Sequence, residues 1–302
     1  MAITSLSERL VRATPWIDPV ARGMRKAFAP LVGQDAPRTP RDLLYGVWLG
    51  HPLHPAVVYL PIGFWSGTMV FDLVREERAA DLSVGLGLVT AVGAAATGAA
   101  QWQDAGDEDS PRRIGALHAI LNTAATLLYG GSLLLRRRGN RGAGIALSTV
   151  GLGVNGFSAW LGGHLAYELG IGVDRTAFHK PPKGWTDVFA NADLPDGAPT
   201  RVEAGGVPVM LLRQGPEVFA ISATCTHLGG PLDQGKIEGD TVTCPWHGSV
   251  FCLRDGKVRH GPATTPEPSF DVRIRDGRIE LRPRESPPSG PEGVGTVPPP
   301  AA

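Results

Sequence analysis

Apolar residues are distributed unevenly along this chain of 302 residues. Four stretches, 56–74, 82–101, 114–135 and 143–167, are almost free of charge. Each is long enough to cross a hydrocarbon layer of about 30 Å as a helix. Buried helices of soluble proteins are usually shorter and carry a charged face. The pattern therefore predicts four transmembrane helices within a domain at 51–170, and disfavours a soluble bundle.

The 50 residues before this domain are basic and punctuated by prolines, and they lack the uninterrupted apolar core of a signal peptide. Apolar residues recur there at helical spacing, with basic residues between them: Ile17, Ala21, Met24, Phe28 and Leu31. The spacing predicts a helix in 1–50 that lies either on a membrane surface or against the protein itself.

Beyond a linker at 171–184 the periodicity changes to that of short strands. Residues of β type, separated by glycine-containing turns, occur at 201–204, 207–212, 218–221, 241–243, 250–253, 270–274 and 279–281. They predict a small domain at 185–282. The remainder, 283–302, is rich in Pro, Gly and Ser and is predicted to be disordered. The expected fold class is thus multidomain: an all-α four-helix transmembrane bundle followed by a small all-β domain.

Charge and cysteine content narrow the function classes. The 29 basic and 29 acidic side chains balance, so no bulk attraction to nucleic acid is indicated. Three cysteines provide no disulfide framework, which is compatible with a reducing compartment. Two of them belong to one motif, and Cys252 is interpreted as a small apolar strand residue.

That motif consists of Cys225 and His227, sixteen further residues, then Cys244 and His247. Two thiolates and two imidazoles can close a zinc tetrahedron. The glycine-containing turns that follow each pair favour another centre, because they can aim backbone N–H groups at the anionic sulfides of an iron–sulfur cluster.

These residues resemble the Rieske family, whose pattern is Cys-x-His-Leu-Gly followed by Cys-Pro-x-His-Gly-Ser, from about 185 to 282. The resemblance implies a [2Fe–2S] cluster with Cys225 and Cys244 on one iron and His227 and His247 on the other. It also implies that the outer edges of the two imidazoles form the docking surface.

The same resemblance bears on the reduction potential and on the redox compartment. Ser249 matches the serine that bonds a bridging sulfide in high-potential members, and Phe251 stands where they carry a tyrosine. A middle to low potential is implied within the range of about −150 to +300 mV. Gly230 and Trp246 replace a cysteine pair that members in oxidising compartments often use as a disulfide.

Orientation in the membrane follows from weaker signals. Counts of Arg and Lys on the two faces nearly tie. The basic N-terminal segment is hard to export, and the disulfide cysteines of the resembled family are missing. We therefore expect a multi-pass protein of a bacterial inner membrane with the Rieske domain in the cytoplasm.

The histidines of the membrane half form a second pattern. His51 and His54 precede the first predicted helix, His118 lies early in the third and His164 late in the fourth. Successive helices run in opposite directions, so these positions share one face, from which the Rieske domain emerges. Intramembrane ionisable residues usually face an interior site. Three interpretations stay open: a haem b held by His164 with His118 or His54; a quinone, copper or zinc site; or structural roles, with His118 bonding Asn122.

The run His51-Pro52-Leu53-His54-Pro55 also resembles a bacterial membrane family, the domain of unknown function 2231, over roughly 50–170. That resemblance implies a four-helix membrane domain and no agreed chemistry.

Two functions follow from the sequence. The first is a membrane-bound protein that passes electrons between the cluster and a haem or quinone site in the bundle, or a partner protein. The second is a membrane-tethered ferredoxin that serves a soluble oxygenase or reductase, with the bundle only an anchor. A complete Rieske oxygenase is not expected, because only His260 follows the motif and its mononuclear iron needs two histidines and a carboxylate. The four intact ligands disfavour a scaffold with a vestigial cluster domain.

Overall fold

The computed structural model describes residues 6–105 and 108–284. Within these ranges seven α-helices precede ten β-strands. The helices are α1 (Leu6–Ala13), α2 (Asp18–Val32), α3 (Arg38–Tyr45), α4 (Leu53–Leu73), α5 (Glu77–Gln103), α6 (Asp109–Arg137) and α7 (Arg141–Tyr167). The disorder predicted for 283–302 falls, from 285 onward, outside the described residues.

The four predicted long apolar helices are confirmed as α4 to α7, each long and apolar enough to cross a membrane. Their shared core contains Trp65 and Tyr129, whose parallel rings stack with centroids 4.3 Å apart. The outer surface is also apolar: Val89 and Val92 are 70% exposed and Leu127 is 71% exposed. A bundle that is apolar both inside and outside needs a covering of lipid or protein.

The predicted N-terminal helix is α2, and its inner face packs on the bundle. Ile17 and Ala21 are fully buried in a cluster with Ala116 of α6, and Trp102 of α5 packs against it. Leu31 on the outer side is 54% exposed. The inner side of α2 therefore contacts protein, and the contact of its outer side with a membrane surface stays a prediction.

The ten described strands form three antiparallel sheets. They are β1 (Thr186–Ala190), β2 (Thr200–Ala204), β3 (Val207–Gln214), β4 (Glu217–Ser222), β5 (Lys236–Glu238), β6 (Thr241–Thr243), β7 (Val250–Cys252), β8 (Val258–His260), β9 (Phe270–Arg275) and β10 (Arg278–Pro283). The sheet orders are β1-β10-β9, β2-β3-β4 and β5-β6-β7-β8. The sequence pattern missed β1, β5 and β8, since the last two have three residues each and little apolar content.

Two hydrophobic clusters fill this all-β domain. One lies around Leu211 and Ile279, and the other around Leu212 and Phe251. The second cluster includes both motif cysteines. The motif loops are therefore anchored from within by the domain core.

Helix α3 joins the two halves of the molecule. Tyr45 at its end packs with Val32 and with Ala100 of α5. From the same helix, Asp42 accepts hydrogen bonds from the backbone N–H of Gly261 and from His260 Nδ1, both at 2.8 Å. The all-β domain thus rests, motif loops inward, on the end of the bundle where α4 begins.

Candidate metal centre

The four predicted ligands lie in two loops, one between β4 and β5 and the other between β6 and β7. Cys225 and Cys244 are buried, while His227 and His247 are half-buried. The two imidazole rings are nearly perpendicular, with centroids 5.2 Å apart. The structure therefore presents a buried thiol pair and a histidine pair nearer to the surface.

This pairing has the donor composition of a Rieske-type centre, which takes two cysteines on one iron and two histidines on the other. Structural zinc also uses sets of four such donors around one ion. The donor set therefore fits a [2Fe–2S] cluster, and the comparison with known families decides between the two centres.

The sulfur atoms are surrounded by hydrogen-bond donors. A hydrogen bond from Cys225 lowers the pKa of Cys244 to about 7, and the backbone N–H groups of Trp246 and His247 act in the same direction. The bond between the two thiols, together with burial, raises the pKa of Cys225. The Trp246 and His247 N–H donors remain when both thiols are deprotonated, and donors of this kind at a ligand sulfur tune an iron–sulfur centre.

Gly230 lets one loop pass directly over a ligand. A Cβ at this position would lie 2.7 Å from Cys244 Sγ and 3.2 Å from Trp246 Cγ, and the first distance is too short for any side chain. Gly230 and Trp246 therefore face each other across the two loops, at the positions where the resembled family places a cysteine pair.

Ser249 lies in the second motif loop. It is fully buried, and its Oγ accepts the backbone N–H of Ala263 at 2.9 Å. That bond uses an oxygen lone pair and leaves the hydroxyl hydrogen to donate. Phe251 is fully buried in the core cluster that holds both cysteines.

The histidines are held neutral, as metal ligands must be. Burial lowers the pKa of His227 to about 3, with smaller contributions from the charges of His247 and Arg41. Burial also lowers the pKa of His247, and Arg41 adds to the effect.

Two residues of the site carry no signal in the sequence. Glu267 is 2% exposed, its Oε1 accepts the backbone N–H of Thr226 at 2.6 Å, and burial raises its pKa well above the usual range. It fixes the first loop between Cys225 and His227. Arg41 reaches the second loop from α3, where its Nη2 donates to the backbone oxygen of His247 at 2.6 Å. Both depend on contacts between distant segments.

A narrow cleft with a cavity volume of about 40 Å³ lies between the two halves. His227 lines it from the all-β domain, and His54, Thr97 and Tyr45 line it from the helical half. His54 Nδ1 lies 3.0 Å from the backbone oxygen of Ala94. This contact requires the proton on Nδ1, so Nε2 is left as an acceptor.

The other predicted histidines are arranged differently. His118 Nδ1 lies 2.8 Å from the backbone oxygen of Ser158, and its Nε2 lies 3.0 Å from Asn122 Nδ2. Both ring nitrogens therefore have partners. Ser158 and Gly162, one turn apart on α7, both face the His118 ring. His164 follows two residues after Gly162, about 200° around the helix. The two rings are therefore not opposed as a bis-imidazole haem site requires.

His164 lies beside Glu168. Its Nδ1 is 3.1 Å from Glu168 Oε1, without the geometry of a hydrogen bond. The Asn122 contact of His118 agrees with the structural interpretation of that residue.

Comparison with known families gives two matches. The model of the Rieske [2Fe-2S] domain matches residues 184–273, and that of a predicted membrane protein family, DUF2231, matches residues 50–175. Both resemblances read from the sequence are confirmed.

Curated relatives match the Rieske part of the chain. Ferredoxin CarAc of Metapseudomonas resinovorans is 33% identical over 96 residues, which are 32% of this chain and 90% of the relative. The ferredoxin component of biphenyl 2,3-dioxygenase from Rhodococcus jostii is 36% identical, over 30% of this chain and 83% of its own. Among solved structures, the ferredoxin of carbazole 1,9a-dioxygenase from Nocardioides aromaticivorans is 30% identical over 34% of this chain and 100% of its own, with a TM-score of 0.32.

Proposed function

Because the chain belongs to the Rieske [2Fe-2S] domain family through residues 184–273, we propose that it is a membrane-bound electron-transfer protein whose cluster exchanges electrons with a quinone-class carrier. The observation that carries this proposal is the cleft that His227 and His54 share, one from each half of the molecule. The apolar outer surface of α4 to α7 supports insertion into a membrane, where such carriers dissolve.

The side chains that line the cleft are of the kinds that bind a quinone, and the narrow cleft must widen to admit the ring. A hydroquinone hydroxyl can donate to His54 Nε2, and His227 lines the same cleft. Aliphatic side chains from Leu44, Leu53 and Ile171 provide apolar contacts for the ring. A bound cluster would accept one electron at a time, whereas conversion of a hydroquinone into a quinone gives up two electrons and two protons. An electron-acceptor protein would therefore have to reoxidise the cluster between the two transfers.

The same geometry favours quinone over haem in this proposal. An axial haem ligand needs a free ring nitrogen. Both nitrogens of His118 are engaged, and His164 does not face it. His54 is the membrane-half histidine with a free nitrogen at the cleft.

The test is reduction of the purified full-length protein by a short-chain hydroquinone, decyl-ubiquinol. We expect the EPR signal of a mixed-ligand cluster, with its low average g value, to appear on mixing. Removing a general base typically costs about 100-fold or more in rate. His54→Gln should slow the reaction accordingly, while the exposed His51→Gln should not.

Three results would contradict the proposal. An iron-free protein with one zinc per chain would remove the cluster. Equal rates for His54→Gln and the unmodified chain would remove the cleft as the site. Haem in a pyridine haemochrome assay, lost on His118→Ala and His164→Ala, would replace the quinone by haem.

A second function is favoured by the relatives, which are named as ferredoxin components of dioxygenase systems. In this alternative the bundle only anchors a ferredoxin that serves a soluble oxygenase or reductase. Trp246, 52% exposed beside His247, offers an apolar contact for such a partner. Rapid reduction by a soluble reductase, with none by decyl-ubiquinol, would support it.

We also propose that the Rieske domain faces the cytoplasm of a bacterial cell. Support comes from the Gly230–Trp246 contact, which stands where a disulfide would protect the loops in an oxidising compartment. A single cysteine at the exposed Arg138, in the loop between α6 and α7, should then react with impermeant reagent on intact cells. Protection of Arg138→Cys, with labelling of a tag at the C-terminus, would reverse the orientation.

A further inference from the structure

Arg41 brings a charge from the helical half to the cluster loops. It lies on α3, is 5% exposed, and donates from Nη2 to the backbone oxygen of the ligand His247. Its Nη1 is also close to the next residue, since a Cβ on Gly248 would lie 3.6 Å from it. A positive charge is therefore buried directly beside one histidine ligand.

The surroundings compensate this charge only in part. Burying a guanidinium is unfavourable unless negative charge or good acceptors surround it. Arg41 lies over the Tyr45 ring at 5.6 Å and interacts with the Tyr45 hydroxyl and with the nearby Asp104 carboxyl, whose pKa burial raises to about 6. Its Nε has no hydrogen-bond partner among the described residues. The adjacent carboxylate of Asp42 is engaged with His260 and Gly261.

The cluster itself supplies negative charge on reduction. Two ferric ions, two sulfides and two thiolates sum to zero, and one added electron makes the net charge −1. A cation held close by favours the reduced form, because the interaction is strong in a buried environment. Arginine suits this role since its fork can hold the His247 carbonyl while its charge stays fixed.

We propose that Arg41 is a redox-linked latch: a positioning residue that raises the midpoint potential of the cluster and holds the Rieske domain on the bundle more tightly after reduction. The second effect follows from the first, because a coupling between two equilibria acts equally in both directions. The inference rests on the cluster assigned by family, and holds whichever carrier or partner protein exchanges the electron.

The first test measures midpoint potentials of the full-length chain by redox titration with EPR detection. Arg41→Gln should lower the midpoint, and Arg41→Lys should restore part of it because the charge returns without the planar fork. Arg38→Gln, on the same helix but exposed, should leave it unchanged. An unaltered midpoint in Arg41→Gln with an intact cluster signal would overturn the proposal.

The second test needs no substitution, and so remains decisive if Arg41→Gln does not fold. Hydrogen exchange is compared in the oxidised and reduced protein at the Gly261 amide, which bonds Asp42 across the interface. The amide should exchange more slowly in the reduced state. Equal exchange in both states would refute the latch. Failure of decyl-ubiquinol to reduce the cluster would affect neither measurement, so the two proposals fail separately.

Discussion

The two ends of the helix bundle treat buried polar groups in opposite ways. At the end away from the Rieske domain, Arg136 has a fully buried side chain and forms ion pairs with Asp72 and Asp81. Arg141 contacts the same two carboxylates at 3.1 Å each. Every charge in this network has an opposite partner, and Ser132 and Ser148 fill the remaining positions around Arg136.

The end that faces the cluster is less complete. Six buried side-chain atoms of the described residues lack a hydrogen-bond partner. One, Trp65 Nε1, lies midway along α4. The other five lie at the cluster-facing end, in the linker or in the Rieske domain: Arg41 Nε, Gln103 Oε1, His164 Nδ1, His179 Nδ1 and Glu267 Oε2. Such atoms are rare in folded proteins and call for a reason. The contrast indicates that the far end of the bundle serves stability, since its charges are paired. The end near the cluster keeps polar groups available to a ligand, to water or to the charge that the cluster gains on reduction.

The largest expected loss of stability comes from removing Arg136 from the ion-pair network at the end away from the Rieske domain. Arg136→Gln leaves Asp72 buried without its main partner, and loss of one member of a buried ion pair typically costs about 3–5 kcal/mol. The exposed neighbour Arg137→Gln should cost almost nothing. Thermal unfolding in detergent measures both. Similar stabilities for the two variants would show that the network does not hold this end together.

The helices and the cluster ligands were predictable because their signals are local. Charge-free runs of about twenty residues define α4 to α7. The cysteine and histidine spacing of the motif lies within 23 residues, Cys225 to His247. Such patterns do not depend on how distant segments meet.

The contents of the cleft were not predictable in the same way. Grouping His54, His118 and His164 at one end was a sound use of helix direction, but it gives no rotation about each helix axis. The packing of the helices decides that rotation. In the structure His118 contacts Ser158, whereas His54 lines the cleft. Arg41 lies 206 residues from its partner His247, and no pattern along the chain links them.

A smaller effect is expected at the cluster-facing end, where burial raises the pKa of Asp104 to about 6 despite the hydrogen bond from Tyr45. Because the folded pKa lies above the ordinary 3.8, the folded state binds the proton more tightly. Protonated Asp104 therefore contributes fully to the free energy of unfolding below about pH 4, and this contribution is lost as pH rises through about 6. Roughly 1–2 kcal/mol should disappear between about pH 5 and 7.5.

Asp104→Asn should remove this part of the pH dependence, since an amide does not ionise. The exposed Asp35→Asn serves as the matched control. Melting temperatures at the two pH values measure the difference for each variant. A slope that persists in Asp104→Asn would assign it to another group of the interface.

The smallest effect concerns the hydroxyl groups around the cluster, within the Rieske domain itself. The Ser249 oxygen accepts from Ala263, so its hydroxyl hydrogen is available to donate, and we expect it to donate to a sulfur of the cluster. One hydrogen bond contributes about 1 kcal/mol, which is about 40 mV for a one-electron couple. Ser249→Ala should lower the midpoint by about this amount, since the donor stabilises the more negative reduced state. Phe251→Tyr should raise the midpoint if the new hydroxyl reaches a cysteine sulfur.

Redox titration of both variants beside Arg41→Gln then separates the two influences on the midpoint potential. Ser249→Ala and Phe251→Tyr test the loops that hold the ligands, and Arg41→Gln tests the bundle side. If only Arg41→Gln changes the midpoint, the potential is set from the bundle side and not by these loops.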